Sequence, residues 1–190
     1  MSVVAMYFDK KKRTIYAASD GITMVGHNLT AIDAIKLHKG KQCIIGSCGS
    51  TFLGQVFPRA LTKLTDACVK QAKNAVHFGE LIADTLAADP KWHEFSMKTQ
   101  QRSPDSNVIM LAGCKYGLFI MYAPDYNFAR ISHPYYAIGA GGELSTGALL
   151  QWANSKNKVS PGEAVKSAVA AACNGSMYVT GRIRLEKVKV

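Results

Sequence analysis

Apolar and polar positions segregate from the first residues of the chain. Ser2 to Phe8 (SVVAMYF) is apolar and β-branched, the polar run DKKKR follows, and Thr14 to Ser19 (TIYAAS) is apolar again. That pattern predicts two strands around a short charged turn, an opening hairpin. The stretch GITMVGHNLTAIDAIK has no sustained period, whereas KQCIIGSCGS reads as a buried strand ending in a glycine-rich corner. From Thr51 the period lengthens. Leu53, Phe57, Ala60, Leu61, Leu64 and Cys68 recur at three and four, the stripe of an amphipathic helix in which Pro58 is a potential kink. Val76 to Ala88 repeats the stripe through Phe78, Leu81, Ile82 and Leu86 and closes at Asp89-Pro90, a second helix expected antiparallel to the first.

Beyond the polar segment KWHEFSMKTQQRSPDS, the runs NVIMLAGC, GLFIMYAP and NFARIS predict a meander of strands. YAIGAGGELSTGALL, Tyr136 to Leu150, carries three glycines in four positions and then turns helical. Ser160, Pro161 and Glu163 stand at N-cap, N1 and N3 of a capping box that starts another helix. The closing MYVTGRIRLEKVKV alternates like one or two last strands. Strands, two helices, strands, two helices, strands: this order lacks βαβ alternation. It predicts an α+β fold, a four-layer αββα sandwich of two antiparallel sheets flanked by helix pairs, in a single domain over 1–190.

Composition narrows the field. With 190 residues, 48% of them hydrophobic, the chain can fill one core. No apolar run approaches the ~18 to 20 residues of a membrane span, and no basic-then-apolar leader is seen, so a soluble cytoplasmic protein is expected. The five cysteines are odd in number, widely spaced and set in apolar surroundings, which favours free thiols in a reducing compartment over disulfides. The five histidines have no metal-ligand spacing, and neither a metal nor a cofactor is assigned. Lysines and arginines exceed aspartates and glutamates by 23 to 13, a formal charge of +10. The basic residues are scattered along the chain with no interleaved aromatics, so a nucleic-acid partner is not favoured and no membrane contact is expected.

The chemistry starts at the N-terminus. Removal of Met1 ahead of a small residue would give Ser2 a nucleophilic hydroxyl and a free α-amine, whose pKa of about 7.7 to 8.0 suits it to take the hydroxyl proton. Asp20 then ends a strand in YAASDG, Lys36 follows sixteen positions later, and Gly49 in IIGSCGST opens the first helix. Alone, each residue has an ordinary explanation: a turn cap, a solvated lysine, a corner glycine. In this order and spacing they resemble the proteasome β-subunit and HslV (ClpQ) family of N-terminal-nucleophile (Ntn) hydrolases. VIMLAGCKYGLFIMYAPDYN resembles that family's central strand pair with its acidic turn, YAIGAGGELSTGALL its glycine-rich segment before the third helix, and CNGSMYVTG its last helix end and strand.

The resemblance implies a peptidase subunit with Ser2 as nucleophile, Lys36 beside the terminal amine, Asp20 holding the lysine and the Gly49 amide as oxyanion donor. It further implies a self-assembled homo-oligomeric ring, stacked on another, that degrades unfolded polypeptides delivered by an AAA+ ATPase unfoldase. The pattern also departs from the family. The nucleophile is serine where threonine is usual, Ala140 stands in place of a serine hydroxyl, and Asn174 in place of an aspartate. These two degenerate positions motivate the alternative of a ring-forming scaffold or regulatory subunit without activity. The opening hairpin is about two residues longer than the family's, so strand register decides whether Met1 or Ser2 enters the site. No Lys-Ser/Thr pair follows the glycines of GAGG as a phosphate loop requires, and they are read as a corner that lets backbone pass close to residue 2.

Overall fold

Strands β1 (Val3–Asp9) and β2 (Thr14–Ser19) form the opening hairpin, with Val4 opposite Ser19 and Asp9 opposite Thr14. The structure, a computed structural model, describes residues 2–21, 23–25, 28–30, 35–49, 51–88, 108–123, 127–156, 159–176, 179 and 181–190. Strands β3 (Thr23–Val25) and β4 (Asn28–Thr30) make a separate two-stranded ribbon within the stretch that shows no period; three residues are too few to display one. Strands β5 (Leu37–Lys39) and β6 (Cys43–Gly49) follow, then helices α1 (Thr51–Gln71) and α2 (Ala75–Ala88). Helix α1 continues through Pro58. The expected stop at Asp89-Pro90, the polar segment after it and the acidic turn at 124–126 lie outside the described residues.

The meander is β7 (Val108–Cys114), β8 (Gly117–Ala123) and β9 (Asn127–Arg130), after which β10 (Tyr135–Gly139) leads into helix α3 (Gly142–Asn154). Helix α4 (Pro161–Gly175) begins at Ser160, whose Oγ accepts the Glu163 amide hydrogen at 3.3 Å, and β11 (Arg184–Lys189) ends the fold. The strands form a four-stranded sheet in the order β10-β1-β2-β11 and a five-stranded sheet in the order β5-β6-β7-β8-β9, antiparallel throughout.

Strand alternation divides the apolar side chains among three interfaces. Val4, Met6 and Ile15 of one sheet meet Ile44, Leu111 and Ile120 of the other between the sheets. The opposite faces of β6, β7 and β8, through Ile45, Met110 and Phe119, pack on Leu61, Val69, Phe78 and Ile82 of α1 and α2. On the far side Val3, Ala5 and Ala18 pack on Leu149, Val165 and Val169 of α3 and α4. Three apolar interfaces imply four layers, helices, sheet, sheet, helices, as the order of elements predicts. Because the central strands are covered on both faces, they read as continuous apolar runs.

The β1–β2 register sets which residue faces Asp20; Met1 lies outside the described residues. Val3 sits level with Asp20, whose amide donates to the Val3 carbonyl at 3.3 Å, and the residue ahead of it is Ser2. The charged turn of the hairpin runs from Lys10 to Arg13, with Arg13 at φ +49°.

Candidate active site

Strand β2 delivers Asp20, with no exposed surface, to the end of the sandwich where β1 begins. Its Oδ1 accepts the Val3 amide hydrogen at 2.8 Å and a hydrogen from the Lys36 ammonium at 2.7 Å. The lysine side chain is 6% exposed and is supplied by the second sheet, where its carbonyl accepts the Ser47 amide at 3.0 Å just before β5. One carboxylate oxygen therefore ties together the backbone next to Ser2, strand β2 and the facing sheet. A buried ion pair is held by such hydrogen bonds, because neither charge alone recovers its lost hydration. Gly21, next to Asp20, lets β11 approach: a Cβ there would lie 2.8 Å from the Arg182 carbonyl oxygen.

Ser2 is nearly buried at this end. Its carbonyl is clamped by Gly139, where φ is +93° and a Cβ would lie 2.1 Å from the Ser2 oxygen. The first glycine of GAGG thus does what the sequence suggests, bringing the end of β10 hard against residue 2. Gly141 is also packed tight, with a Cβ there meeting the Ala172 methyl of α4 at 2.5 Å. Gly49 ends β6 at φ +124°, a backbone that favours glycine, and is exposed. Ala140 is exposed in the turn after β10, one step beyond the Val3–Gly139 pair. Asn174 is exposed in the last turn of α4. The buried set is thus Ser2, Asp20 and Lys36; Gly49, Ala140 and Asn174 stand on the exposed ends of three elements.

Two neighbours escape a reading of the sequence. Cys48 lies beneath the corner, its Sγ donating to the Ile138 carbonyl at 3.6 Å and blocking any Cβ on Gly139 at 2.8 Å. Burial pushes this thiol up to about 12, against the pull of Lys36 and with a further push from Asp20, so it remains protonated. The Ser19 hydroxyl and the second oxygen of Asp20, Oδ2, are buried without a hydrogen-bond partner among the described residues. Nothing in the spacing of Cys48 or Ser19 marks them; the stacking of two sheets brings Cys48 to the site, and the hairpin register turns Ser19 inward beside Asp20. An open groove of about 440 Å³ runs from Gly139 past Ile138 and Tyr136 to Ile109, Ile120 and Tyr122.

Among solved structures, eukaryotic HslV from Trypanosoma brucei superposes with a TM-score of 0.72 over 99% of this chain and 99% of that one, at 14% identity. The chain carries the HslV fold. BPH from Thiobacillus denitrificans in complex with epoxomicin is similar at a TM-score of 0.65, 14% identity and 98% coverage of each chain. A second structure of BPH gives 0.63 at 14% identity, covering 100% of this chain and 98% of that one. No family model and no curated protein matches the sequence. The four-layer αββα architecture is thus shared end to end with proteins of distant sequence. No described helix is long and apolar enough to cross a membrane.

Proposed function

We propose that the chain is a peptidase subunit of the HslV type, a single domain that cleaves peptide bonds with an N-terminal serine. The observation that carries this reading is the buried Lys36–Asp20 pair bonded to the backbone amide directly after Ser2. Loss of Met1 frees the Ser2 amine, and the nearby Lys36 ammonium lowers that amine's pKa and favours its neutral form. The Ser2 hydroxyl attacks the peptide carbonyl while its proton passes to the amine. The resulting oxyanion accepts a hydrogen bond from the Gly49 amide, in a position where a side chain would obstruct. Collapse expels the amine half of the substrate, which takes the proton, and leaves an ester on Ser2. Water then attacks the ester, giving its proton to the Ser2 amine, and releases the acid half.

The groove beside Gly139 is open enough to accept an extended chain, which suits unfolded polypeptide. Assembly into stacked rings, delivery by an AAA+ unfoldase and a cytoplasmic location complete the reading. The test begins with intact mass of the purified particle, expected to lack Met1. A fluorophosphonate or β-lactone should then label Ser2, with epoxomicin, held by the Thiobacillus denitrificans BPH structure, as a third probe. Retention of Met1 in a preparation that hydrolyses peptides would overturn the proposal.

Ala140 and Asn174 favour a second reading, an inactive subunit that keeps the assembly and has lost the chemistry. A methyl at 140 donates no hydrogen bond to a terminal amine, and an amide at 174 carries no charge. That reading expects assembled particles without peptide hydrolysis and without labelling of Ser2.

A further inference from the structure

The fold gathers basic residues that are scattered along the sequence. The candidate active site occupies one end of the sandwich; the opposite end is closed by turns and element ends distant in sequence. Asp9 and Thr14 close the hairpin bearing Lys10 to Arg13, and the Arg13 carbonyl accepts the Val190 amide, which brings in Lys189 from β11. Ile15 packs where a Cβ on Gly113 would sit, so the β7–β8 turn with Lys115 lies at the same end. The β5–β6 turn, carrying Lys41, is there because Cys43 pairs with Cys114. Tyr116 Oη donates to the Ala72 carbonyl, which adds the end of α1 with Lys73. Lys10 to Arg13, Lys41, Lys73 and Lys189 are all exposed.

Among the described residues, the carboxylates of the turns themselves are engaged by backbone. Asp9 accepts the Lys12 amide at 3.0 Å, and Asp66 accepts the Lys41 and Gln42 amides at 2.7 and 2.8 Å. Glu186 faces the Lys39 ammonium at 3.8 Å, and Glu163 lies in the first turn of α4, where the helix dipole favours it. The same carboxylate contacts fix the turns in shape, so their ammonium groups form a preorganised field of one sign. Among the described residues these turns offer no open stacking aromatic for single strands: Tyr116 is bonded to Ala72 and covered by the Lys115 ammonium, 4.9 Å from its ring centre. Nor do the described residues here include a protruding helix to read base edges. Lysine tips on rigid turns suit regularly spaced backbone charges.

We propose that this pole is a sequence-independent binding surface for the phosphate backbone of duplex nucleic acid. The proposal is independent of peptidase activity, since the pole lies at the other end of the strands from Ser2. Its test uses the full chain, short fluorescent DNA duplexes of two unrelated sequences, and anisotropy over a range of salt. Affinity for both duplexes should be equal and fall linearly on a log–log plot against salt, with a slope of about −0.9 per phosphate neutralised. Lys10→Glu/Lys11→Glu should weaken binding about tenfold or more and flatten that slope by about two contacts. The control Arg182→Glu, exposed beside Gly21 at the candidate-site end, should stay within about twofold of wild type at the same salt, where Lys10→Glu alone weakens binding several-fold. Equal losses in the two single variants would mean that net charge alone attracts the duplex, and would overturn the proposal. So would absence of binding at low salt, or binding of poly-L-glutamate as tight as that of the duplex, which would point to an acidic protein.

Discussion

At the residue scale the site depends on one buried ion pair, and its energetics constrain how the pair can be tested. Removing one member strands the other charge, at a cost of about 3–5 kcal/mol. Lys36→Met is therefore expected to lower stability by that amount as well as to abolish hydrolysis. A denaturant midpoint measured beside the peptidase assay separates loss of fold from loss of chemistry. Gly139→Ala attacks the site from the other side. A methyl at φ +93° costs roughly 1–3 kcal/mol in backbone strain, before its collision with the Ser2 carbonyl and Cys48 is counted. The expected result is a lower urea midpoint at unchanged slope, together with loss of Ser2 labelling.

Of these residues, Gly139 is legible through local turn chemistry, and Asp20 and Lys36 only through an order and spacing that resemble a known family, since each alone reads as a turn cap or a solvated lysine. Cys48 and Ser19 are not legible. Cys48 follows an apolar run like any core cysteine, and only the packing of β6 under β10 sets it against Gly139. Ser19 is one more small residue in TIYAAS until the hairpin register puts it opposite Val4 on the face between the sheets.

Among the elements, the most legible features are those whose signal is complete within a few residues. Ser160, with Pro161 and Glu163, marks the start of α4 by side-chain chemistry alone, whereas β3 and β4 are too short to carry a period. Strands β6 and β7 hold a property that only their pairing creates. Cys43 and Cys114 face each other across the ladder, and Cys48 lies farther along β6, all three buried. Burial pushes the Cys48 and Cys114 thiols up to about 12 and raises Cys43 further, with Asp66 adding to the last. An unfolded thiol ionises near 8.5, so above that pH the unfolded chain binds fewer protons than the folded one. Stability is therefore full below about pH 8.5 and falls as pH rises toward 12, on the order of 1 kcal/mol per pH unit for each thiol. Denaturant melts from pH 7 to 10 should follow this slope, and Cys114→Ala should flatten it. Native protein at pH 8 should resist thiol reagents at these three positions; rapid labelling there would contradict the burial.

For the whole molecule, layer order is legible because each strand and helix declares its buried face, and three apolar interfaces admit few arrangements. The two poles are not, because charge and site residues reach them through turns far apart in sequence. The two functional readings share this architecture and part company at a single oxygen atom. Ser2 stands at the entry of β1, held by its neighbours through backbone: the Asp20 carboxylate grips Val3, and Gly139 clamps the Ser2 carbonyl. Ser2→Ala removes only the hydroxyl, a change expected to cost no more than about 1 kcal/mol. In sedimentation velocity, wild type and Ser2→Ala should therefore show the same particle, many times the 20.6 kDa of one chain. Peptide hydrolysis should be present in wild type and absent from the variant. Equal particles that are both inactive would favour the scaffold. Equal activity in both would remove Ser2 as the nucleophile, and a 20.6 kDa monomer in both would remove the ring from either reading.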